Sequence, residues 1–316
     1  MTAKELEQYL LQSLNMALGS MMQGETSYTN SFTCKVTEEG FYFLPRLPAG
    51  YIVDDDLYQK IFLIASAALY PKFTLLKQNS AYFVPMDTDD IHTQRALFFP
   101  WQQGISERLV ISDLDRFTSS LTNQQILIMK QLTLNYQNIT SIAIAGNSGS
   151  GKSYMLTYLL SVLKPISELI IVDPKFDTPS RWARIHDITV IHPHQNRSKS
   201  DFLSEINENL SHCLQVIQQR QTILYDDPDY QFDHLTIVID EVLALAEGVN
   251  KTIKDAFFSL LSQIALLGRA TKVHLLLVSQ RFDHQTIPVS VREQLNVLIQ
   301  IGNINKKKPH NFYSPI

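Results

Sequence analysis

The sequence predicts an α/β architecture, a mainly parallel sheet with helical crossovers, preceded by a smaller α+β domain. Short apolar, β-branched runs recur at Ser141–Ala145, Glu168–Asp173, Leu235–Asp240, Val273–Val278 and Val297–Ile301. They are too short for helices and too continuous for half-exposed strands, so they read as buried strands of a parallel sheet. Stretches with apolar residues at helical spacing separate them, giving the strand-helix-strand order that such a sheet requires. The first run also passes directly into a glycine-rich turn and a helix over Tyr154–Leu160.

In chain order, residues 1–115 read as the small α+β domain. Leu6, Leu10, Leu14, Ala17 and Met21 repeat at helical spacing, which predicts a helix docked on its own domain or on a partner. Gly40–Leu44 and Ser80–Val84 read as short strands and Leu57–Leu69 as a helix. The apolar run Ile61–Tyr70 is half the length of a membrane span, and the first residues lack the pattern of a signal peptide. Residues 116–316 form the second domain. From about Leu121 it reads as helix, strand, glycine-rich loop and helix, then the Glu168–Asp173 strand and a short strand at Ile188–Ile191. A long helix follows, with Leu203, Ile206, Leu210, Leu214, Ile217 and Leu224 on one stripe. After the Leu235–Asp240 strand, Ile253, Phe257, Leu260, Ile264 and Leu267 mark a further helix before the last two strands.

Composition sets outer bounds. Of 316 residues, 45% are apolar and 18% charged, which is the profile of a globular protein. A net charge of −4 excludes a surface coated in basic residues for nucleic acid, while leaving room for a local basic lining. Cys34 and Cys213 form no metal-like pair, so a reduced, cytoplasmic setting is expected.

The chemistry begins at the glycine-rich turn. Gly146-Asn147-Ser148-Gly149-Ser150-Gly151-Lys152-Ser153 matches the phosphate-binding loop G-x-x-x-x-G-K-[ST]. Its glycines let successive backbone N–H groups converge on phosphates at the positive end of a helix. Lys152 is expected to reach the β- and γ-phosphates of ATP, Ser153 to hold Mg²⁺, and Tyr154 to follow as part of the same site. Leu235–Asp240 then reads as a strand delivering a carboxylate to that loop, the Walker B element. Asp240 would position Mg²⁺, and Glu241 would act as the general base on the attacking water.

Further on, Gly268-Arg269-Ala270-Thr271-Lys272, the buried run Val273–Val278, and Ser279-Gln280-Arg281 follow one another. Together with Asp173-Pro174-Lys175, this order resembles the FtsK/SpoIIIE branch of the RecA-like P-loop ATPases over residues 140–303. Within that branch, Gly151-Lys152-Ser153-Tyr154, Leu267-Gly268-Arg269 and Val291-Arg292-Glu293-Gln294-Leu295 are similar to the TcpA-like coupling ATPases of Gram-positive conjugative elements. Position alone lets Gln280, at the end of a strand beside Asp240, bond the γ-phosphate or the water. The resemblance implies that Arg269 is an arginine finger projected into a neighbouring subunit, which requires oligomerisation; the bland alternative is a helix C-terminal residue favoured by the macrodipole. Arg281 and Arg292 are weaker candidates for a phosphate contact or for packing. The chain departs from the branch at Ser148, usually Thr, at Phe282, usually Pro, and at Thr271-Lys272, usually a glycine-containing turn.

The resemblance implies a cytoplasmic, Mg²⁺- and ATP-dependent DNA translocase, hexameric when active, with DNA in its central channel. Its expected setting is transfer of a conjugative or mobilisable element, with a relaxase and a membrane channel protein as partners. No membrane-spanning segment and no winged-helix module is expected, so membrane docking and sequence reading would fall to partners. Two alternatives stay open: a soluble translocase for segregation, replication or packaging, and a nucleotide-gated adaptor that moves no DNA. The DNA strand form is left open as well. Elsewhere, His192-Pro193-His194 reads as a loop rather than a metal pair for want of a third ligand, and Cys213 as a core residue. Trp101 and Trp182 lie in no basic, aromatic run. Lys175, Arg181 and Arg184 line either a DNA-facing or a solvated surface, and Lys306-Lys307-Lys308 reads as a solvated end.

Overall fold

A computed structural model describes residues 2–19, 31–78, 81–105, 107–121, 124–130, 132–282 and 287–302. They cluster into two compact units, Met1–Arg108 with Met129–Gln131, and Leu109–Ile128 with Leu132–Ile316.

The first unit runs α1 (Ala3–Gly19), β1 (Phe32–Val36), β2 (Gly40–Pro45), α2 (Asp55–Leu69), β3 (Phe73–Leu75), β4 (Phe83–Pro85) and β5 (Arg95–Gln103). Its strands are antiparallel: β1 pairs with β2, β2 with β5, and β5 with both β3 and β4. The helical stripe predicted near the start is α1, whose Leu6, Leu10, Leu14 and Leu18 are buried; Met21 lies outside the described residues. Asp54 starts α2 by accepting a 2.9 Å hydrogen bond from the Leu57 backbone N–H. The core is aromatic, with Phe99 stacked on Phe41 at 4.8 Å and on Tyr58 at 4.5 Å. Trp101 belongs to this core, its indole N–H bonded to the Glu38 carbonyl, which leaves no ring face for a nucleic-acid base.

The second unit begins with α3 (Leu114–Ser120), and here the sequence reading needs correction. Instead of a helix from about Leu121, the chain forms a hairpin of β6 (Gln125–Met129) and β7 (Leu132–Asn135). Leu132 and Leu134 alternate with exposed Thr133 and Asn135, a period of two that belongs to a strand, and the preceding apolar run Ile126–Met129 is too short for a helix. Next come β8 (Ser141–Gly146), α4 (Lys152–Leu163), β9 (Ser167–Val172), α5 (Thr178–Ile185), β10 (Val190–Ile191) and α6 (Lys199–Asp226). The chain continues with β11 (His234–Ile239), α7 (Val242–Ala246), α8 (Lys251–Leu267), β12 (Val273–Ser279), α9 (Val289–Arg292) and β13 (Val297–Ile301).

Six strands form one sheet in the order β10-β9-β11-β12-β8-β13, every pairing parallel. Alternate side chains of each strand enter different cores, as the pleat dictates. On β12, Leu275 and Leu277 face the core that contains Leu203, Ile206 and Leu210 of α6 and Phe257 and Leu261 of α8. Leu276 and Val278 face the core that contains Leu156 and Leu159 of α4 and Trp182 of α5. Burial on both faces is why these strands read as unbroken apolar runs. Trp182 bonds the Ser161 hydroxyl from inside that core and so presents no stacking surface. α6 starts with a reciprocal capping box between Ser198 and Asp201. Among the described residues, no helix is long and apolar enough to cross a membrane.

Candidate functional site

A parallel sheet collects its ligands beyond the carboxyl ends of its strands. β8 ends there in the loop Gly146–Gly151, and the backbone shows why glycine is used. A Cβ on Gly146 would meet the Ser150 hydroxyl at 2.5 Å and the Ile301 carbonyl of β13 at 2.7 Å, while Gly151 turns into α4 at φ +102°. The first turn of α4 has no side-chain cap, so its N–H groups stay available to an anion. The Ser150 hydroxyl is buried with no hydrogen-bond partner among the described residues. The Lys152 ammonium folds back to donate to the carbonyls of Gly146 (2.8 Å) and Asn147 (3.1 Å). Available N–H groups, an orphaned hydroxyl and a lysine resting on the loop's own carbonyls fit a phosphate chain.

The acidic pair arrives from β11. The Asp240 N–H still bonds the Val172 carbonyl of β9 at 3.0 Å, so strand pairing fixes its position. Burial, followed by the charges of Glu241 and Asp173, pushes the Asp240 carboxyl up to about 6. Carboxylate oxygen and the Ser153 hydroxyl line one cleft, a donor set that suits a hard cation such as Mg²⁺. Glu241 is buried and adopts a left-handed backbone at φ +46° and ψ +49°. That conformation costs a non-glycine residue on the order of 1 kcal/mol or more, and it aims the side chain into the loop after β9.

That loop holds what sequence reading missed. The Lys175 ammonium donates to Glu241 Oε1 at 2.6 Å, a hydrogen bond that raises the lysine's pKa. Asp173, fully buried, organises the turn beneath it. Its carboxylate accepts from the N–H groups of Lys175 (3.0 Å), Asp177 (2.8 Å) and Ser180 (3.2 Å) and from the Ser180 hydroxyl (2.6 Å). The Asp-Pro-Lys signature marked the segment, but nothing in one dimension paired Lys175 with Glu241, 66 residues away. Arg181, from the same basic group, is paired instead with Asp177 at 2.5 Å.

One cleft of about 230 Å³ unites Ser148, Gly149, Gly151, Lys152, Ser153, Tyr154, Asp240, Glu241 and Gln280, with Lys175, Asp177, Thr178 and Pro179 on its far wall. β12 lies between β8 and β11, so Gln280 emerges between the phosphate loop and the acidic pair. Arg269 is placed elsewhere. It is exposed at the turn entering β12, at the opposite end of the sheet. The seven residues of β12 put it roughly 20 Å from Gln280 of its own chain. Gly268 makes that turn possible, because a Cβ there would meet the Val273 carbonyl at 2.1 Å. Two larger clefts, of about 430 and 800 Å³, flank Lys164–Ile166 at the amino end and contain none of the phosphate-loop or acidic residues. His192 stacks on the exposed ring of Phe176, and among the described residues no group of three His, Cys, Asp or Glu side chains is placed to hold a metal.

No protein-family model matches the chain. It is 22% identical over 187 residues to the FtsK domain-containing protein YdcQ of Bacillus subtilis (strain 168), an alignment covering 57% of this chain and 38% of the relative. The chain thus spans well under half the length of that curated relative. Among solved structures, it is similar to the pCW3 conjugation coupling protein TcpA, in a monomer form with ATPγS, at a TM-score of 0.50 and 15% identity, covering 92% of this chain and 82% of that one. The cytoplasmic domain of EssC aligns at a TM-score of 0.44 and 15% identity over 58% of this chain and 37% of its own. The resemblance carried by the motifs thus recurs in both comparisons: the chain has the P-loop α/β fold, with an FtsK-type likeness in sequence and a TcpA-like arrangement in structure.

Proposed function

We propose that this protein is a Mg²⁺-dependent ATPase that moves DNA and works as a homo-oligomer, most simply a hexameric ring. The observation that carries the reading is the convergence of Lys152, Asp240, Glu241 and Gln280 on one cleft from three separate strands. A protein that only bound nucleotide would have no use for a buried carboxylate beyond the Mg²⁺-ligand position.

In this reading the N–H groups of the Gly146–Gly151 loop and the Lys152 ammonium bind the phosphates, and Ser153 and Asp240 hold Mg²⁺. When bound, the ion neutralises charge on the β- and γ-oxygens. Glu241 takes a proton from the attacking water, and Gln280 orients that water or the γ-phosphate. Arg269, outside its own cleft, completes the site of a neighbouring subunit. Its distance from Gln280 supports that assignment, since no side chain spans roughly 20 Å. The motif resemblance and the fold shared with a conjugation coupling protein support conjugative or mobilisable transfer as the setting. The protein would then act from the cytoplasmic side, meeting a relaxase and a membrane channel protein through partner contacts, with residues 1–115 as the docking domain.

Steady-state ATP hydrolysis with and without single- and double-stranded DNA tests this, with Lys152→Ala as the control. Strong stimulation by one DNA form supports a translocase and identifies the preferred strand form. Tight ATP binding without turnover on any DNA would replace it with the nucleotide-gated adaptor.

A further inference from the structure

Glu241 has a partner that water activation does not require. At 2.6 Å the Lys175 ammonium occupies Oε1, one of the two carboxylate oxygens that could take a proton from water. The pairing is also asymmetric. The Glu241 side chain is 8% exposed, whereas that of Lys175 is 56% exposed. The lysine is a flexible arm on a fixed mount: its own N–H donates to buried Asp173, which also accepts from the Asp177 and Ser180 N–H groups and the Ser180 hydroxyl. Lys175 lines the same cleft as Gly151, Lys152 and Ser153, where the end of a triphosphate would lie. A γ-phosphate carries more negative charge than a carboxylate, and a lysine, a point charge on a four-carbon stem, can swing between two anions a few ångströms apart.

Resting on the reading of Glu241 as the base, we propose that Lys175 reads the γ-phosphate. Without a triphosphate its ammonium holds the Glu241 carboxylate. When the γ-phosphate arrives the ammonium moves to the phosphate oxygens and frees Glu241 for the water. Lys175 is then a positioning residue that keeps the diphosphate state silent and arms the triphosphate state. The same chemistry would let a backbone phosphate of nucleic acid take the lysine, and the test separates the two sources.

The test is a binding cycle on the full chain. Affinities for ATPγS and for ADP are measured by calorimetry for wild type, Lys175→Ala, Glu241→Gln and the double variant. Lys175→Gln serves as a second, length-preserving probe, and melting curves verify folding. Lys175→Ala is expected to weaken ATPγS about tenfold, the worth of one charge-assisted hydrogen bond, and to leave ADP within about twofold. Glu241→Gln is expected to tighten ATPγS several-fold when Lys175 is present and much less when it is absent. An ATPγS-to-ADP ratio equal to wild type in Lys175→Ala overturns the proposal. So does an equal gain from Glu241→Gln in both backgrounds, which is simple charge repulsion. If Lys175→Ala instead weakens a short oligonucleotide and leaves the nucleotide ratio alone, the lysine serves nucleic acid and the γ-phosphate assignment falls. Turnover of Glu241→Gln at saturating ATP is read separately. If it persists, the base and its release both fall; if it is lost while the binding cycle is additive, only the latch falls.

Discussion

The two ends of the six-stranded sheet treat buried polar groups in opposite ways. At the amino end, the Tyr136 hydroxyl meets Thr236 at 2.5 Å, Thr236 meets Ser167 at 2.6 Å, and His234 Nδ1 meets His274 Nε2 at 2.8 Å. His274 Nδ1 lies 3.2 Å from the Thr140 carbonyl, which can only accept, so that nitrogen carries the proton and Nε2 accepts from His234. Each of these buried side chains has a partner, and burial lowers the pKa of both rings. At the carboxyl end, Asp173, Asp240 and Glu241 crowd together, Ser150 and Ser279 have buried hydroxyls with no hydrogen-bond partner among the described residues, and Glu241 sits in a left-handed conformation. One end has its buried side chains paired, which suits stability; the other is charged and incompletely paired, which suits a ligand.

Substitution tests the contrast most severely at the charged end. Glu241→Gln should lower ATP turnover by about 10⁴, the upper range for a general base, without lowering the melting temperature. A fall of several degrees would mean that the carboxylate holds the fold together and would break the comparison. Arg269→Ala should sharpen it from the other side, because this arginine lies at the amino end yet is assigned to catalysis. Turnover of the assembled protein should drop by about 10³ with ATP affinity unchanged, and mixing the variant with wild type should inhibit the wild type. Absence of inhibition would return Arg269 to a structural role.

Two smaller effects concern the satisfied end. Burial, with the charge of His234 next, depresses the His274 imidazole to about 4 from an ordinary 6.5. A base that is harder to protonate folded than unfolded favours folding above pH 6.5, and that contribution disappears as pH falls toward 4. Denaturant titrations should therefore show on the order of 3 kcal/mol lost across that window. His274→Gln, which does not titrate, should flatten the slope; an unchanged slope would assign the loss to other groups. Tyr136→Phe should cost about 1 kcal/mol in the same titrations and leave ATP affinity unaltered. A change in affinity would show that the two ends are coupled.

Much of this was legible along the chain because the signals are local. The phosphate loop is eight consecutive residues whose backbone conformations demand glycine, and the buried strands read as apolar runs because both faces of the sheet are covered. Gln280 and the Asp240-Glu241 pair could be placed at one end of the sheet because a strand's end in a parallel sheet has a known direction. The helix expected from Leu121 failed because apolar residues in a short hairpin mimic a helical stripe until the partner strand sets the period. Trp101 and Trp182 could not be placed from composition, since only packing buried them.

The sequence by itself determined the parallel architecture, the phosphate-binding loop and the identity of the acidic pair, because chain-local geometry and hydrophobic pattern specify each of them. Tertiary structure alone decided that Lys175 meets Glu241, that Asp173 holds the turn between them, and that Arg269 lies a strand's length from its own cleft. Those relations join residues on different strands. Strand order and loop closure set them, and neither is written in any single stretch of chain.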